Sequence, residues 1–296
     1  IMHTRFESLE VEQAWVAQSN EHGPTVAIFG GVHGDEQTGI EIVKGLVEHG
    51  INIEVGRVIV ALGNLAAIQT NTRHTGTNLN RVFKELTSEE LDRLPALPYE
   101  YRRAQELITL LHDEDGEPDG LLDLHDFTDP EGPIFLITEP RGFEIARAIG
   151  APVISSGWSS AEPGGSDYYM ETRQKIGLCY ELGDKSKPKA NLARGKGAVD
   201  RYLEYMGLRE VVSEPMYEDP RFIRNDRSVY MLPGDFEFTR KFSTFDTLQE
   251  GELIARNGQV EHYAEKDQVI IFPFVNKPKI GEEAFCLGHE FSPAVK

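Results

Sequence analysis

Residues 26–39, VAIFGGVHGDEQTG, contain the transition that decides the fold. Val26 to Phe29 form a short apolar run typical of a buried strand, and Gly30-Gly31 then permits a turn that other residues resist. An apolar run with helical spacing starts at Ile40. Strand, glycine turn and helix in this order predict an α/β fold with its ligand site where the strand ends.

His33 and Glu36 lie three residues apart in the polar loop after this strand. Imidazole and carboxylate groups are both ligands of divalent zinc. The pattern H-x-x-E alone is a weak signal, because it occurs often by chance and a solvated loop is the simpler interpretation. The pair therefore needs support from elsewhere in the chain before it indicates a metal site.

The composition is that of a globular chain. Of its 296 residues, 40% are hydrophobic and 27% are charged, which provides for a sizeable core. The net charge of −19 argues against nucleic acid and anionic membrane surfaces as partners. No apolar run is long enough to span a membrane and no signal peptide is visible, so we expect a cytoplasmic protein. Cys179 and Cys286 do not make a disulfide framework and are expected to be small buried residues.

Strand and helix patterns alternate through the first two thirds of the chain and then change. Apolar, β-branched runs predict several buried strands, and the charged segment 84–118 predicts a surface-exposed helix. After residue 208, short strands with turn signals follow, including the hairpin signal Asn257-Gly258. We therefore predict a mostly parallel or mixed sheet flanked by helices over 1–208, and a small all-β domain over 209–296.

Two further strands carry polar residues in unusual places. Asp123 and His125 lie two apart in the apolar run LLDLHDF, so their side chains face the same side of a strand. His125 is either a hydrogen-bonded residue at a strand end or a third metal ligand supported by Asp123. Glu181 interrupts the apolar run GLCYELG. It lies either on the exposed face of an edge strand or in a site, where burial would raise its pKa and suit it to act as a general base.

Arginine side chains occur in two segments that could contact a substrate. The loop RHTGTNLNRVF carries Arg73, Asn80 and Arg81. A guanidinium group matches a carboxylate and can stabilise a developing oxyanion, although a solvated basic loop has the same composition. Tyr169 and Arg173 are four residues apart in a helix-like segment and hence neighbours on one face, as in many surface pairs.

In this order, the segments GGVHGDEQTG, LGNLAAI, RHTGTNLNRVF, LLDLHDF, YMETR and YELG resemble the succinylglutamate desuccinylase/aspartoacylase family, relatives of the zinc carboxypeptidases. The resemblance spans residues 25–200 and extends weakly into PFVN…EEAF. It implies a zinc-dependent amidohydrolase that cleaves the amide bond of a small anionic N-acyl amino acid, of the N-succinylglutamate or N-acetylaspartate type. It also implies one zinc ion per chain and a β-rich second domain that narrows the active-site mouth.

The resemblance also implies roles for the residues of the reaction centre. One zinc ion would be bound by His33, Glu36 and His125. Glu181 would be the general base, and later the acid that protonates the leaving amine. Arg73 would polarise the scissile carbonyl and stabilise the tetrahedral oxyanion.

Four further residues are implied in substrate binding. Asn80 and Arg81 would hold the α-carboxylate, and Tyr169 and Arg173 would bind a carboxylate on the amino-acid side chain. An arginine cluster of this kind would explain how a chain with a net charge of −19 binds an anionic substrate.

Departures from the family pattern concern the substrate more than the chemistry. Asn78 stands where members commonly have Asp, which puts the support of the arginine loop in doubt. Leu65 follows Asn64, as in desuccinylases, whereas aspartoacylases have Pro. No Tyr lies between Asn276 and Glu283, where aspartoacylases have one that contacts substrate.

Two other functions are compatible with the sequence. A zinc carboxypeptidase acting on a peptide would use the same metal ligands, and release of C-terminal amino acids from peptides would identify it. A metal-free ligand-binding protein on the same fold would contain well below one zinc per chain. The oligomeric state is open and includes a homo-oligomer.

Overall fold

The computed structural model describes residues 3–112, 117–214, 216–217, 219–273 and 278–293. Within these ranges the strands are β1 (Glu7–Ser8), β2 (Ala14–Gln18), β3 (Thr25–Gly30), β4 (Arg57–Leu62), β5 (Gly120–Phe127), β6 (Phe135–Ile137), β7 (Val153–Ser156), β8 (Ile176–Asp184), β9 (Arg221–Tyr230), β10 (Phe236–Phe238), β11 (Thr247–Leu248), β12 (Leu253–Asn257), β13 (Val260–Tyr263), β14 (Gln268–Ile271) and β15 (Glu283–Glu290). The α-helices are α1 (Gln37–His49), α2 (Leu65–Thr70), α3 (Ser88–Arg93), α4 (Tyr99–Leu110), α5 (Phe143–Ile149), α6 (Trp158–Ala161), α7 (Ser166–Thr172) and α8 (Pro188–Tyr205). Short 3-10 helices lie at Leu79–Arg81, Leu94–Ala96 and Pro140–Gly142.

One large mixed sheet organises the described part of the chain. Its strand order is β1-β2-β4-β3-β5-β8-β6-β7-β9-β15-β14-β11. The central strands β4, β3, β5 and β8 are parallel to one another, whereas β6 pairs with β8 in the antiparallel direction. Helices flank this sheet, which confirms the predicted fold class.

The central strands are buried on both faces, as expected of parallel strands covered by helices. In β3, Val26 and Ile28 pack in the apolar cluster that includes α1 and α8. Ala27 and Phe29, which point the other way, pack in the cluster that includes α4 and α7. The continuous apolar run therefore contributes to two cores, one on each face of the sheet.

The prediction of one surface-exposed helix over 84–118 is wrong. Two helices, α3 and α4, lie in this segment, and Glu100 and Arg103 of α4 are fully buried. Arg103 donates to the carbonyl oxygens of Leu62 at 2.7 Å and Gly63 at 2.8 Å, where β4 ends. The charged composition suggested that these side chains are hydrated, but tertiary hydrogen bonds satisfy the Arg103 guanidinium group instead of water.

The region after α8 contains strands and no helix among its described residues. β12 and β13 form the hairpin predicted from Asn257-Gly258, and Gly258 has a φ of +62° that suits a tight turn. β9 pairs with β7 and so continues the large sheet past residue 208. A β region at the end of the chain is therefore present, and the domain boundary near residue 208 stays a prediction.

Two expectations from composition concern the cysteines and the membrane. Cys179 and Cys286 are both buried and free, as expected. None of the helices among the described residues combines the length and the apolar character that a bilayer crossing needs.

Candidate active site

The first two candidate ligands lie in the turn between β3 and α1. Gly31 has a φ of +72°, in the left-handed region that side chains disfavour. A Cβ on Gly30 would lie 2.3 Å from the carbonyl oxygen of Gly39, so the close approach of strand and helix requires glycine. His33 and Glu36 follow this turn, and both are buried.

β5 and β8 bring four more side chains to the same end of the sheet. In their parallel register, Asp123 lies beside Cys179 and His125 lies beside Glu181. Because alternate residues of a strand face one side, the four side chains share a face. All four are buried, so polar groups in these strands have one another as neighbours rather than an apolar core.

The carboxylate of Glu36 joins the two imidazoles. Nδ1 of His33 lies 2.8 Å from Oε1 of Glu36, and Nδ1 of His125 lies 2.8 Å from Oε2. One potential metal-binding atom from each of the three residues lies within 4.8 Å of those of the other two. The structure therefore brings together His33, Glu36 and His125 at a spacing that one metal ion can bridge.

The tautomer of His33 tests whether this set fits a metal. Nε2 of His33 lies 3.0 Å from Oδ1 of Asn78, which also accepts the backbone N–H of Asn80 at 2.9 Å. Since this oxygen only accepts, Nε2 of His33 must carry the proton, and the lone pair of Nδ1 faces Glu36. Two acceptor atoms 2.8 Å apart need a cation or a proton between them. Burial and the Arg73 guanidinium lower the pKa of His33 to about 4, so the neutral imidazole suits a metal ion.

The Nε2 atom of His125, on the other side of the ring from Glu36, has a carboxylate neighbour instead of an amide. Nε2 lies 3.2 Å from Oδ2 of Asp123, and the Ser166 hydroxyl donates to that oxygen at 2.5 Å. Burial opposes the charged form of His125, yet Cys179, Asp123 and Glu36 together hold its pKa well above the ordinary value. A metal ion bound at Nδ1 would displace a proton from this group.

Glu181 lies beside the candidate metal site and lines the cleft above it. Its Oε2 is buried without a hydrogen-bond partner among the described residues. Burial, with a contribution from the Glu36 carboxylate, raises the pKa of Glu181 to about 8.

His125, Cys179 and Glu181 also form a group close enough for a metal ion. Burial raises the pKa of the Cys179 thiol far above its usual range, which makes this second set the poorer ligand group.

A cleft of about 1020 Å³ opens over these residues. Its walls come from the loops after the central strands and from the region after residue 208, which contributes Tyr230, Phe272 and Glu283 among others. Of the segment 277–282, where a Tyr is missing relative to the family pattern, residue 277 lies outside the described residues, and 278–282 line the cleft.

The loop that carries Arg73 reaches the candidate metal ligands. Nη1 of Arg73 donates to Oε1 of Glu36 at 3.3 Å, and half of the Arg73 side chain is exposed. The loop is shaped by Glu100, whose carboxylate accepts the backbone N–H groups of Thr75, Gly76 and Thr77 at 2.8, 3.1 and 3.2 Å. Glu100 was not predicted as a buried residue because it lies in a charged segment. The helical spacing i, i+3, i+4, i+7 that it shares with Arg103, Ala104 and Leu107 places it on the buried face of α4.

Asn78 supports the arginine loop, because its side chain accepts the Asn80 N–H and caps the short helix Leu79–Arg81. The same oxygen contacts His33, so the exchange of Asp for Asn also affects a candidate metal ligand.

Asn80 and Arg81 both line the cleft, but Arg81 is already ion-paired. Its Nε donates to Glu162 at 2.6 Å and its Nη2 to Glu283 at 3.1 Å. Tyr230 donates to the second oxygen of Glu162 at 2.5 Å. Two carboxylates therefore surround the guanidinium group that was predicted to hold a substrate carboxylate.

Tyr169 and Arg173 are not brought to the cleft. Tyr169 is 2% exposed, packs in the hydrophobic cluster that includes α4, outside the cleft, and hydrogen-bonds His112. Arg173 donates to Glu117, and to Glu85 at 3.3 Å. Tyr169 and Arg173 are neighbours in the helical segment, as predicted, but the face that they share does not line the cleft. The preceding residue, Tyr168, lines the cleft instead.

Comparison with known proteins places this site in a family context. Residues 22–206 match the model of the succinylglutamate desuccinylase/aspartoacylase catalytic domain. The aspartoacylase of Rattus norvegicus is 36% identical over 121 residues, which are 39% of this chain and 38% of that protein. The N-acyl-aromatic-L-amino acid amidohydrolase (carboxylate-forming) of the same organism is 27% identical over 281 residues, 85% of each chain.

A solved structure agrees with these matches. Succinylglutamate desuccinylase from Vibrio cholerae has a TM-score of 0.77 and 17% identity, with coverage of 98% of this chain and 92% of that one, and thus shares the fold. The family model covers well over half of the chain. The chain therefore belongs to the succinylglutamate desuccinylase/aspartoacylase family.

Proposed function

We propose that this protein hydrolyses the amide bond of an N-acyl amino acid and uses one zinc ion per chain. The observation that carries the proposal is the convergence of two imidazole Nδ1 atoms on the two oxygens of Glu36, each at 2.8 Å. Two His and one carboxylate are the protein ligands of several catalytic zinc sites. Family membership and the activities named for the mammalian relatives support the same reaction class.

His33, Glu36 and His125 would bind the metal. When bound, zinc supplies a Lewis acid for the carbonyl oxygen and makes water acidic enough to attack at neutral pH. Asn78 and Asp123 hold the two imidazoles from behind, so their Nδ1 atoms stay aimed at a common point.

Glu181 is proposed as the general base. It lies beside His125 in the strand register, and its unpartnered oxygen is buried in the cleft. As water attacks the acyl carbon, Glu181 accepts the proton, and it then returns that proton to the leaving nitrogen. Desolvation raises the proton affinity of the carboxylate, which favours the first of these transfers.

Arg73 is proposed to donate hydrogen bonds to the carbonyl oxygen as negative charge develops on it. Its contact with Glu36 places the guanidinium group next to the metal ligands, and its half-exposed side chain lines the cleft. Asn80 and Arg81 remain the proposed α-carboxylate site, with Arg81 shared between the substrate and its two carboxylate partners.

An acidic side chain on the substrate, which the resemblance implied, finds no support in the cleft. The predicted recognition pair, Tyr169 and Arg173, does not line it. We also propose that residues 209–296 act as the domain that narrows the cleft, because Tyr230, Phe272 and Glu283 contribute to its walls.

The test is a hydrolysis assay of zinc-loaded protein on N-acetylglycine, N-acetyl-amino acids and N-succinylglutamate, with peptides in parallel. Acyl release that is lost on chelation and restored by zinc is the expected result. Release of C-terminal amino acids from peptides without acyl release would instead identify a carboxypeptidase. Purified protein with well below one zinc per chain, and with ligand binding but no turnover, would indicate a metal-free binding protein.

A further inference from the structure

One side of the cleft is apolar. Phe127, Ile137, Trp158, Cys179 and Phe272 line it. All five belong to or pack against one hydrophobic cluster around β6 and β8. This apolar surface is continuous from the sheet to the region after residue 208.

The apolar surface starts next to the proposed general base. Cys179 lies two residues before Glu181 on β8. Ile137 on β6 is the direct cross-strand neighbour of Cys179. The ring of Trp158 lies 5.7 Å from that of Phe272. The indole N–H donates to the Ser155 hydroxyl at 2.8 Å, so the part of the ring that lines the cleft has no polar group to satisfy.

Phe272 is held in an unfavourable backbone conformation. Its φ of +50° lies in the left-handed region, which is uncommon for a bulky residue. Its N–H donates to the Thr244 hydroxyl at 3.2 Å, and its ring packs 5.1 Å from Phe135. Strained residues of this kind cluster at ligand sites, where surrounding contacts maintain them.

The charges in the cleft disfavour an acidic side chain. Nine carboxylate side chains but only four Lys or Arg side chains are among the described lining residues. Arg81 is bound by two carboxylates, and Lys185 is bound by Asp35 at 2.6 Å. Arg73 contacts Glu36 and is committed to the carbonyl in the proposed mechanism. Lys279 is exposed, where an ion pair contributes little.

We infer that this apolar surface is a subsite for an apolar, preferably aromatic, group of the N-acyl amino acid. The inference rests on the proposed function and replaces the acidic side chain that the resemblance implied. The group is carried either by the amino-acid side chain or by the acyl part. Burial of a flat apolar group against Trp158 and Phe272 provides affinity without any further cation.

A matched substrate panel tests the subsite. The zinc-loaded protein is assayed with N-acetylglycine as the reference, N-acetyl-L-phenylalanine, N-benzoylglycine and N-acetyl-L-aspartate. We expect kcat/KM for at least one aromatic substrate to exceed that for N-acetylglycine by about tenfold or more, the usual range for a hydrophobic pocket. Preference for the phenylalanine derivative assigns the subsite to the side chain, and preference for the benzoyl derivative assigns it to the acyl group. Equal or better turnover of N-acetyl-L-aspartate overturns the inference.

Variants localise the preference. Trp158→Leu should lower kcat/KM for the preferred aromatic substrate by about tenfold and change that for N-acetylglycine by less than about twofold. Trp15→Leu is the matched control, because Trp15 is partly buried in another cluster and lies outside the cleft. An equal fall for both substrates in Trp158→Leu would contradict a subsite at this tryptophan, and Phe272→Leu repeats the test if that variant does not fold.

Binding separates a failed subsite from a failed reaction. Calorimetric titration of the same four ligands into zinc-loaded Glu181→Gln does not depend on turnover. Aromatic ligands that bind about tenfold more tightly than N-acetylglycine support the subsite. Absence of hydrolysis across the panel, with this binding preference intact, contradicts the proposed function alone. Tightest binding of N-acetyl-L-aspartate overturns the subsite.

Discussion

Two arginine-bearing segments were predicted to reach the same substrate, and only one reaches the cleft. The loop at Arg73 is anchored by the buried carboxylate of Glu100, which binds three consecutive backbone N–H groups. Arg173 follows α7 and is bound by Glu117 and Glu85, outside the cleft. The first arginine is positioned by a buried anchor, whereas the second is neutralised by partly exposed carboxylates.

A family motif can keep its spacing without keeping its contact with the cleft. Tyr169 and Arg173 are one helical turn apart, as the four-residue spacing requires. The orientation of the whole turn is set by packing of α7 against β5 and β8, which buries Tyr169 in the cluster with α4 and away from the cleft. The segment thus retains the motif and directs Tyr168 to the cleft.

Among the residues that line the cleft, the largest effect should come from Glu181, which is proposed to move the proton. Glu181→Gln should fold, bind zinc and lose about 10²–10⁴-fold in kcat, the usual contribution of a general base. Turnover with zinc content measured on the same sample checks it. A variant within tenfold of the wild type would show that Glu181 is not the base.

Next, Arg73→Ala should lose about 10²–10³-fold in kcat, the usual effect of removing one oxyanion donor. KM for the same substrate should change much less, because the contact strengthens as charge develops. Steady-state kinetics separate the two constants. A change confined to KM would place Arg73 in ground-state binding.

The support of His33 should appear in metal affinity. Asn78→Leu removes the acceptor for Nε2 and should weaken zinc binding by about 10–100-fold, the range for outer partners of metal-binding histidines. Asn78→Asp keeps the acceptor and should bind zinc at least as tightly as the wild type. Chelator competition measures both. Equal affinities in all three proteins would remove Asn78 from the support of the site.

The anchoring of the Arg73 loop by Glu100 should contribute to the free energy of unfolding. Burial acts to raise the pKa of Glu100, but hydrogen bonds from Thr75, Asn64 and Gly76 outweigh it and hold the pKa at about 2. A lowered pKa stabilises the fold at pH values above the ordinary range near 4.5, and this stability is lost as the pH falls towards 2. Glu100→Gln should cost about 1–3 kcal/mol at neutral pH, since an amide N–H would face backbone donors, and should flatten this acid dependence.

Denaturant unfolding across that pH range checks the effect. Glu89→Gln is the control, because this carboxylate lies on the preceding helix α3 and is exposed. Matching acid dependence in the wild type and Glu100→Gln would contradict the role of Glu100.

The smallest effect should come from the other arginine. Arg173→Ala should change kcat/KM by less than about twofold for acidic and neutral substrates alike, and stability by about 0–1 kcal/mol, as for partly exposed ion pairs. The same substrate panel and a thermal unfolding scan measure both. A selective loss for acidic substrates would show that Arg173 contacts the substrate after all.

Much of this architecture could be predicted from local patterns. The apolar run before Gly30 identified a central strand, and the hairpin at Asn257-Gly258 followed from its two-residue turn. Such features depend on neighbours in sequence. Glu100 could not be placed in this way, because its ligands are backbone N–H groups of a loop more than 20 residues away. Arg81 likewise looked available, and only Glu162 and Glu283, from distant segments, neutralise it.

Residue types and short spacings were enough to identify the family, the mixed sheet with its helices, and the three residues proposed to bind metal. The tertiary structure decided which side chains share the cleft. Packing of α7 removes one motif from it, a buried carboxylate shapes the loop of another, and the side chains of β6, α6 and Phe272 make one wall apolar. These outcomes depend on which surfaces are excluded from water together, and no local pattern in the chain encodes that.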